Sequence, residues 1–237
     1  MKKVAIITGA SRGIGRHIAL ALAQDGYNLA LVARSHESLA NISEELKNSD
    51  VEILPVAVDL EDDTAPEYIM TQTISHFGRL DVLVNNAGIA LNRPFAESSV
   101  EDWRTIFNVN VKASYFLCQK AVPYLKEASR PVIINIGSVV DHKGYHNQSL
   151  YASSKHAVAG YTSALAKEVQ ELGIRVHLIS PGGVNTEMVS KVRPDINTED
   201  LIQPEEIADL VVFLCNYKGK GTIDRIGIRR FNSLAFD

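Results

Sequence analysis

Tyr151 and Lys155 stand four positions apart in Leu150-Tyr151-Ala152-Ser153-Ser154-Lys155, within a stretch of helical patterning. At that spacing both side chains lie on one helix face, a turn apart. A free phenol, with a pKa of about 10, is a poor general base at neutral pH. A neighbouring ammonium stabilises the phenolate and lowers that value. A drop of about three units asks for about 4 kcal/mol of differential stabilisation, within reach of a site closed to water. Ser138, thirteen residues before Tyr151 and just after an apolar run, is placed to hydrogen-bond the same substrate oxygen. Alone, a Tyr/Lys pair at this spacing occurs in many helices by chance and reads as ordinary helix packing.

A second group of residues points to a ligand. The apolar run at the start of the chain ends in Thr8-Gly9-Ala10-Ser11-Arg12-Gly13-Ile14-Gly15 and leads directly into helical patterning. Glycines in such a turn let the backbone approach a pyrophosphate, whose charge then faces a helix N-terminus. The spacing is G-x-x-x-G-x-G, which differs from the G-x-G-x-x-G dinucleotide fingerprint and lacks the Gly-Lys-Ser/Thr ending of a nucleotide triphosphatase loop. An acid closing the second strand would bind the 2′-hydroxyl of NAD, whereas an arginine accommodates the 2′-phosphate of NADP. Here that strand ends Leu31-Val32-Ala33-Arg34-Ser35, and Arg12 adds a second cation on the same side. A guanidinium fork suits phosphate. The reading is NADP(H).

These residues need a scaffold that places strand ends side by side. Short apolar runs, expected as strands, fall at 3–8, 28–33, 52–58, 81–85, 131–136, 175–180 and 223–228. Continuous apolar character marks strands buried on both faces of a parallel sheet. Helices are expected between them at 13–25, 36–47, 65–77, 100–127, 150–172 and 204–215, the last opening Pro204-Glu205-Glu206. Pro in the first turn and acids at the positive dipole end suit a helix start. This alternation predicts an α/β fold: a single doubly wound, Rossmann-like parallel sheet of about seven strands with helices on both faces, one domain over 1–237. Ligands of such sheets bind beyond the carboxyl ends of the strands. The irregular stretch 185–203, containing Pro194, is expected to be a flexible substrate lid.

Composition narrows the function classes. A net charge of −4 and the absence of any basic, aromatic-interleaved tract give no footprint for nucleic acid. No apolar run is long enough to cross a bilayer. Met1-Lys2-Lys3 precedes an apolar run that Thr8-Gly9 cuts too short for a signal sequence. Cys118 and Cys215 lack C-x-x-C spacing and read as buried thiols of a cytoplasmic protein.

Taken in order, the glycine turn, Asn85-Asn86-Ala87-Gly88, Asn110, Ser138, the Tyr151/Lys155 step and Pro181-Gly182-Gly183-Val184-Asn185-Thr186 resemble the short-chain dehydrogenase/reductase family, from about residue 3 to about residue 215. The resemblance implies an NADP-dependent oxidoreductase acting on CH–OH groups or carbonyls, without a metal. It implies that Gly9, Ser11, Arg12, Ile14 and Gly15 line the cofactor's phosphates and ribose, and that Asp59 meets the adenine amino group. Asn86 and Ala87 would border the cofactor, with Asn86 bracing the central strands. Pro181, Val184 and Thr186 would surround the nicotinamide. Tyr151 would be the acid/base and Ser138 would orient the substrate. Lys155 would bind the nicotinamide ribose and lower the Tyr151 pKa, and Asn110 would hold a relay water. The resemblance also implies a homodimer or homotetramer assembled through helices 111–127 and 150–172. Ala157, Val158, Tyr161, Leu165 and Val169 are spaced for that face.

Within the family, 3-oxoacyl-[acyl-carrier-protein] reductases share this type of glycine turn. Two departures set the chain apart from them. Its end, Lys220-Gly221-Thr222-Ile223-Asp224-Arg225-Ile226-Gly227-Ile228-Arg229-Arg230, lacks their closing signature, and Glu171-Leu172 precedes Gly173-Ile174 where they tend to carry an arginine. The ending resembles shorter members acting on small carbonyl or alcohol substrates. His142, Tyr145 and His146 follow Ser138 in a loop expected near the substrate, together with the tail 231–237, whereas Trp103 and Tyr115 are expected to pack in the core. A different class remains, a non-catalytic NADP(H)-sensing regulator, since fold does not dictate function.

Overall fold

In the computed structural model, which describes residues 2–192 and 197–234, seven strands form one parallel sheet. They are β1 (Val4–Thr8), β2 (Asn28–Ala33), β3 (Ile53–Ala57), β4 (Val82–Asn85), β5 (Val132–Ile136), β6 (Arg175–Pro181) and β7 (Arg225–Ile228). Their order is β3-β2-β1-β4-β5-β6-β7. The direction of winding reverses between β1 and β4, which opens a crevice at their carboxyl ends. Each expected strand is present, with ends shifted by no more than two residues.

Strand residues alternate between two cores. Ala5 and Ile7 face the layer that includes Ile18 and Leu22 of α1 (Gly13–Gln24), Leu39 and Ile42 of α2 (His36–Leu46), and Ile207 and Val211 of α8 (Pro204–Asn216). Val4 and Ile6 face Ile69 and Met70 of α3 (Ala65–Phe77) and Leu117 and Ala121 of α5 (Ala113–Leu125). Both faces are therefore dry, which is why the strands carry so few polar residues. The remaining helices are α4 (Val100–Phe107), α6 (Ser149–Glu168) and α7 (Glu187–Val192).

Three expectations need correction. The stretch 100–127 is not one helix, because a π-turn over Asn108–Lys112 separates α4 from α5. The region 185–203 is not wholly irregular. It contains α7 and a short 3-10 turn at Thr198–Asp200, and Val184 forms a parallel bridge to Ile202. Its central part, 193–196 with Pro194, lies outside the described residues, as do the last three residues of the tail. Finally, Trp103 and Tyr115 are not core residues. They are 49% and 48% exposed, Trp103 stacking on Phe107 at 4.0 Å and Tyr115 meeting Tyr161 edge-on. Helical spacing marks a face, and here those faces look outward. Val158 and Val169 of the expected partner-facing stripe are buried within the chain itself.

Candidate active site

A cleft of about 1570 Å³ runs across the carboxyl ends of the strands. At one end lies the turn between β1 and α1. Gly9 and Gly13 hold positive φ angles of 67° and 53°, which only glycine adopts without strain. Gly15 is required for another reason: a Cβ there would stand 2.2 Å from the Gly9 carbonyl oxygen and 2.4 Å from Asn86 Nδ2. α1 therefore starts hard against the turn. No side chain caps its first N–H groups, since Arg12 at the N-cap makes no capping bond. Open N–H groups, the dipole end and a glycine cradle suit a pyrophosphate.

Asn86 does brace the central strands: Nδ2 donates to Thr8 O at 2.9 Å and Gly9 O at 3.2 Å, and its backbone N–H donates to Thr8 Oγ1 at 3.0 Å. Beneath it, Asn85 Nδ2 donates to Asn135 Oδ1 and Asn135 Nδ2 to Thr162 Oγ1, each at 2.8 Å, tying β4, β5 and α6 together. Arg34 is exposed at the rim, beside Ser35, which caps α2. Arg12 differs from expectation in being occupied: its Nη1 donates to Glu187 Oε2 at 2.6 Å, linking the glycine turn to α7. Arg34, by contrast, makes no ion pair among the described residues. Asp59, also exposed, lines the same end and accepts from the Glu61 N–H at 3.0 Å.

At the other end stand Ser138, Tyr151 and Lys155, the first beyond β5 and the other two on the inward face of α6. Lys155 Nζ donates to Ile136 O at 2.8 Å and sits 5.9 Å from the Tyr151 ring centre. Burial pushes the Tyr151 phenol up to about 12, opposed by its hydrogen bond with Ser138 and helped by the negative charge of Asp141. Burial likewise pushes Lys155 down to about 8, with Asp141 opposing. The net shift of the phenol is therefore upward, because desolvation outweighs its hydrogen bond with Ser138.

Pro181, the last residue of β6, and Val184 and Thr186 beyond it continue the cleft wall, and a Cβ on Gly13 would meet Thr186 Cγ2 at 3.1 Å. Gly9, Ser11, Ile14 and Ala87 also line the cleft, whereas Gly15 and Asn110 sit behind its wall. Asn110 is buried in the π-turn, a local widening that re-aims one side chain out of the helical register. Its Oδ1 accepts from Ile89 N at 2.8 Å, and its Nδ2 donates to Ile89 O at 2.9 Å and Ser154 Oγ at 3.0 Å. Gly88 fits between Asn110 and Lys155: a Cβ there would approach Oδ1 at 3.3 Å and Nζ at 3.6 Å. His142 and Tyr145 line the cleft, and His146 does not.

One group escaped sequence reasoning. Asp141, three residues after Ser138, has a fully buried carboxylate. It accepts from Ser180 Oγ at 2.6 Å, meets His142 Nδ1 at 2.8 Å and is ion-paired to Arg225 of β7. Its Oδ2 also accepts from the Ser138 N–H at 3.3 Å. Gly137 makes room, since a Cβ there would stand 2.4 Å from Asp141 Oδ2. The carboxylate thus ties the Ser138 turn to β6 and β7. The S-x-x-D step was visible as a possible capping box, but its cation lies 84 residues away.

The sequence pattern described as short chain dehydrogenase matches residues 3–197. The chain belongs to the short-chain dehydrogenase family. Among curated family members, it is 34% identical over 229 residues to the 3-oxoacyl-[acyl-carrier-protein] reductase FabG of Staphylococcus aureus, covering 93% of each chain. Among solved short-chain dehydrogenase structures, it resembles the alcohol dehydrogenase of the archaeon Thermococcus sibiricus, complexed with 5-hydroxy-NADP, at a TM-score of 0.91. That likeness covers 99% of both chains at 29% identity. A metagenomic short-chain oxidoreductase in complex with NADP matches at a TM-score of 0.84 and 32% identity, covering 96% of both chains. This short-chain dehydrogenase is accordingly a Rossmann-like oxidoreductase. No helix among its described residues is long and apolar enough to cross a membrane.

Proposed function

We propose that the chain is an NADP(H)-dependent oxidoreductase moving a hydride between the nicotinamide and a carbonyl or secondary alcohol carbon. The observation that carries this reading is the convergence of Ser138, Tyr151 and Lys155 in the same cleft as the glycine cradle of α1. The cradle fits a dinucleotide pyrophosphate, and Arg34, free at the rim, favours a 2′-phosphate. The NADP-bound relatives support the same choice.

When bound, the cofactor supplies or accepts the hydride and, in its oxidised form, a positive ring. The chain's own residues do the rest. In reduction, Tyr151 Oη donates its proton to the substrate oxygen as negative charge develops there, and Ser138 Oγ donates a second hydrogen bond to that oxygen. A phenol with its pKa near 12 is held as the acid, so the reduction direction needs no prior activation. In oxidation, Tyr151 must first lose its proton, which requires added positive charge beside it. Lys155, held at Ile136 O, would turn its remaining N–H donors toward the ribose hydroxyls. Asn110 and Ser154 lie behind Tyr151 and Lys155 and would hold a water between them and solvent. Assembly as a homodimer or homotetramer through 111–127 and 150–172 is part of this reading, with exposed Tyr115, Phe116 and Tyr124 on α5 as its apolar contact.

The identity to FabG favours a second reading, a 3-oxoacyl-[acyl-carrier-protein] reductase. Against it stand the altered end of the chain and Glu171-Leu172. NADPH oxidation against acetoacetyl thioesters, 3-oxo acids, diketones, aldehydes and simple ketones separates the readings. Turnover of free carbonyl compounds is expected. Turnover confined to the thioesters would move the assignment to the second reading, and tight NADPH binding without turnover of any of them would favour a sensor.

A further inference from the structure

Two arginines beyond β7 line the cleft, and one of them has no partner among the described residues. β6 and β7 pair in parallel with Pro181 opposite Ile228, and the Gly182 N–H donates to Ile228 O at 2.8 Å. This register carries the two residues after β7 alongside the two glycines after β6. A Cβ on Gly183 would stand 3.8 Å from Arg230 Cδ. Arg229 and Arg230 both line the cleft, yet they are occupied differently. Arg229 Nη1 donates to the carbonyls of Arg230, Phe231 and Ser233 at 3.0, 3.1 and 2.7 Å, so its guanidinium holds the turn of the tail. Arg230 is half-buried, and its guanidinium has no hydrogen-bond or ion-pair partner among the described residues.

A guanidinium at the wall of the cleft with no protein acceptor is open to one carried by a ligand. Among the described residues, no carboxylate is available to do so here. The acids lining the cleft are Asp59 and Glu61, beyond β3 at the far end, and Glu187, already paired with Arg12. Asp141 is engaged by Arg225, Ser180 and His142. The chain as a whole carries a net charge of −4, so the unpaired guanidinium does not reflect a general basicity.

We infer that Arg230 binds a carboxylate carried by the substrate, making the preferred substrate an oxo acid or the corresponding hydroxy acid. The inference rests on the proposed carbonyl chemistry at Tyr151 and adds the group that selects the molecule. The planar fork of arginine pairs with both oxygens of a carboxylate. Anchored beside Gly183, it would hold the acid end while Tyr151 and Ser138 hold the carbonyl oxygen.

The test compares acetoacetate with its methyl ester, which keeps the ketone and loses the charge. The parent protein is expected to favour the acid in kcat/KM. Arg230→Ala should lower kcat/KM for the acid by roughly 30-fold or more, chiefly through KM. Ester turnover and NADPH affinity should change by less than about twofold, and Arg230→Lys should recover part of the loss. Equal losses for acid and ester, or weakened NADPH binding, would overturn the inference. So would a parent preference for acetoacetyl-coenzyme A over neutral acetoacetyl-N-acetylcysteamine that Arg230→Ala removes, because the anion would then be a phosphate of the carrier arm. Calorimetry of butyrate and butyramide binding to the protein–NADP+ complex separates the two claims. Butyrate should bind selectively and lose that selectivity in Arg230→Ala even if no ketone is turned over, a result that would sink only the proposed chemistry. Failure of the parent to distinguish butyrate from butyramide would sink the carboxylate site whatever the turnover.

Discussion

Replacing Lys155 by Met should stabilise the ligand-free protein at neutral pH while removing its cofactor-side function. Lys155 is almost fully buried, and burial brings its pKa from 10.5 down to about 8. That difference of about 2.5 units corresponds to about 3 kcal/mol by which the folded state disfavours the ammonium. Below about pH 8 the lysine is protonated in both folded and unfolded chains, and the full penalty applies. Between about 8 and 10.5 the unfolded chain binds more protons, so the stability of the parent rises with pH. Above 10.5 neither state is charged and the penalty is gone. Met fills the space of the aliphatic stem, but it abandons the hydrogen bond from Nζ to Ile136 O at 2.8 Å, a loss of about 1–2 kcal/mol. The net gain at pH 7 is therefore about 1–2 kcal/mol, and by pH 10 it should have fallen by about 2.5 kcal/mol and changed sign. Urea unfolding followed by Trp103 fluorescence, on parent and variant at the same concentration without cofactor, measures this directly. A difference that stays constant from pH 7 to 10, or widens, would refute the reasoning, because it would mean that burial of the lysine is not what sets its ionisation. The gain expected here is the usual signature of a group kept for function at the expense of stability.

Other positions yield sharper local tests. Gly15→Ala would press a methyl group against Gly9 O and Asn86 Nδ2, so it should lower stability by more than about 2 kcal/mol and abolish the rise in Tm that NADPH gives the parent. Arg34→Asp should weaken NADPH binding by more than tenfold and leave NADH binding within about threefold, as read by fluorescence titration; equal losses would show that Arg34 does not read the 2′-phosphate. Arg225→Ala would leave the buried Asp141 carboxylate without its cation. Because Arg225 is itself partly exposed, the loss should be about 2–3 kcal/mol, below the range for fully buried pairs. The double variant Asp141→Asn/Arg225→Met should recover most of it in the same denaturation assay, and additive losses would show that the two residues are not coupled.

Much of the scaffold was legible because its signals are local. Continuous apolar runs give the strands, and Gly9, Gly13 and Gly15 announce the tight entry to α1. What escaped was set by contacts distant in sequence or by backbone register. The π-turn at Asn108–Lys112 leaves no mark on hydrophobic periodicity, yet it is what buries Asn110. Asp141 gains its partners only when the sheet brings Arg225 and Ser180 beside it. Arg12 and Arg34 looked equivalent on the page, and only folding places Glu187 against the first. The Tyr151/Lys155 spacing places both residues on one helix face, and burial raises the phenol's pKa. Spacing conveys proximity to a charge and says nothing of the desolvation that opposes it. Arg230 had no local signature at all, since its place depends on the register of β7 against β6.

The central claim is that Tyr151 transfers the proton at the substrate oxygen. Single-turnover oxidation of bound NADPH, with the best carbonyl substrate and with Tyr151→Phe beside the parent, addresses it most directly. Phe keeps the ring and its packing and removes only the hydroxyl. The account predicts a loss of hydride-transfer rate of roughly 10²–10⁴-fold with NADPH affinity unchanged. An unchanged rate in Tyr151→Phe would contradict it.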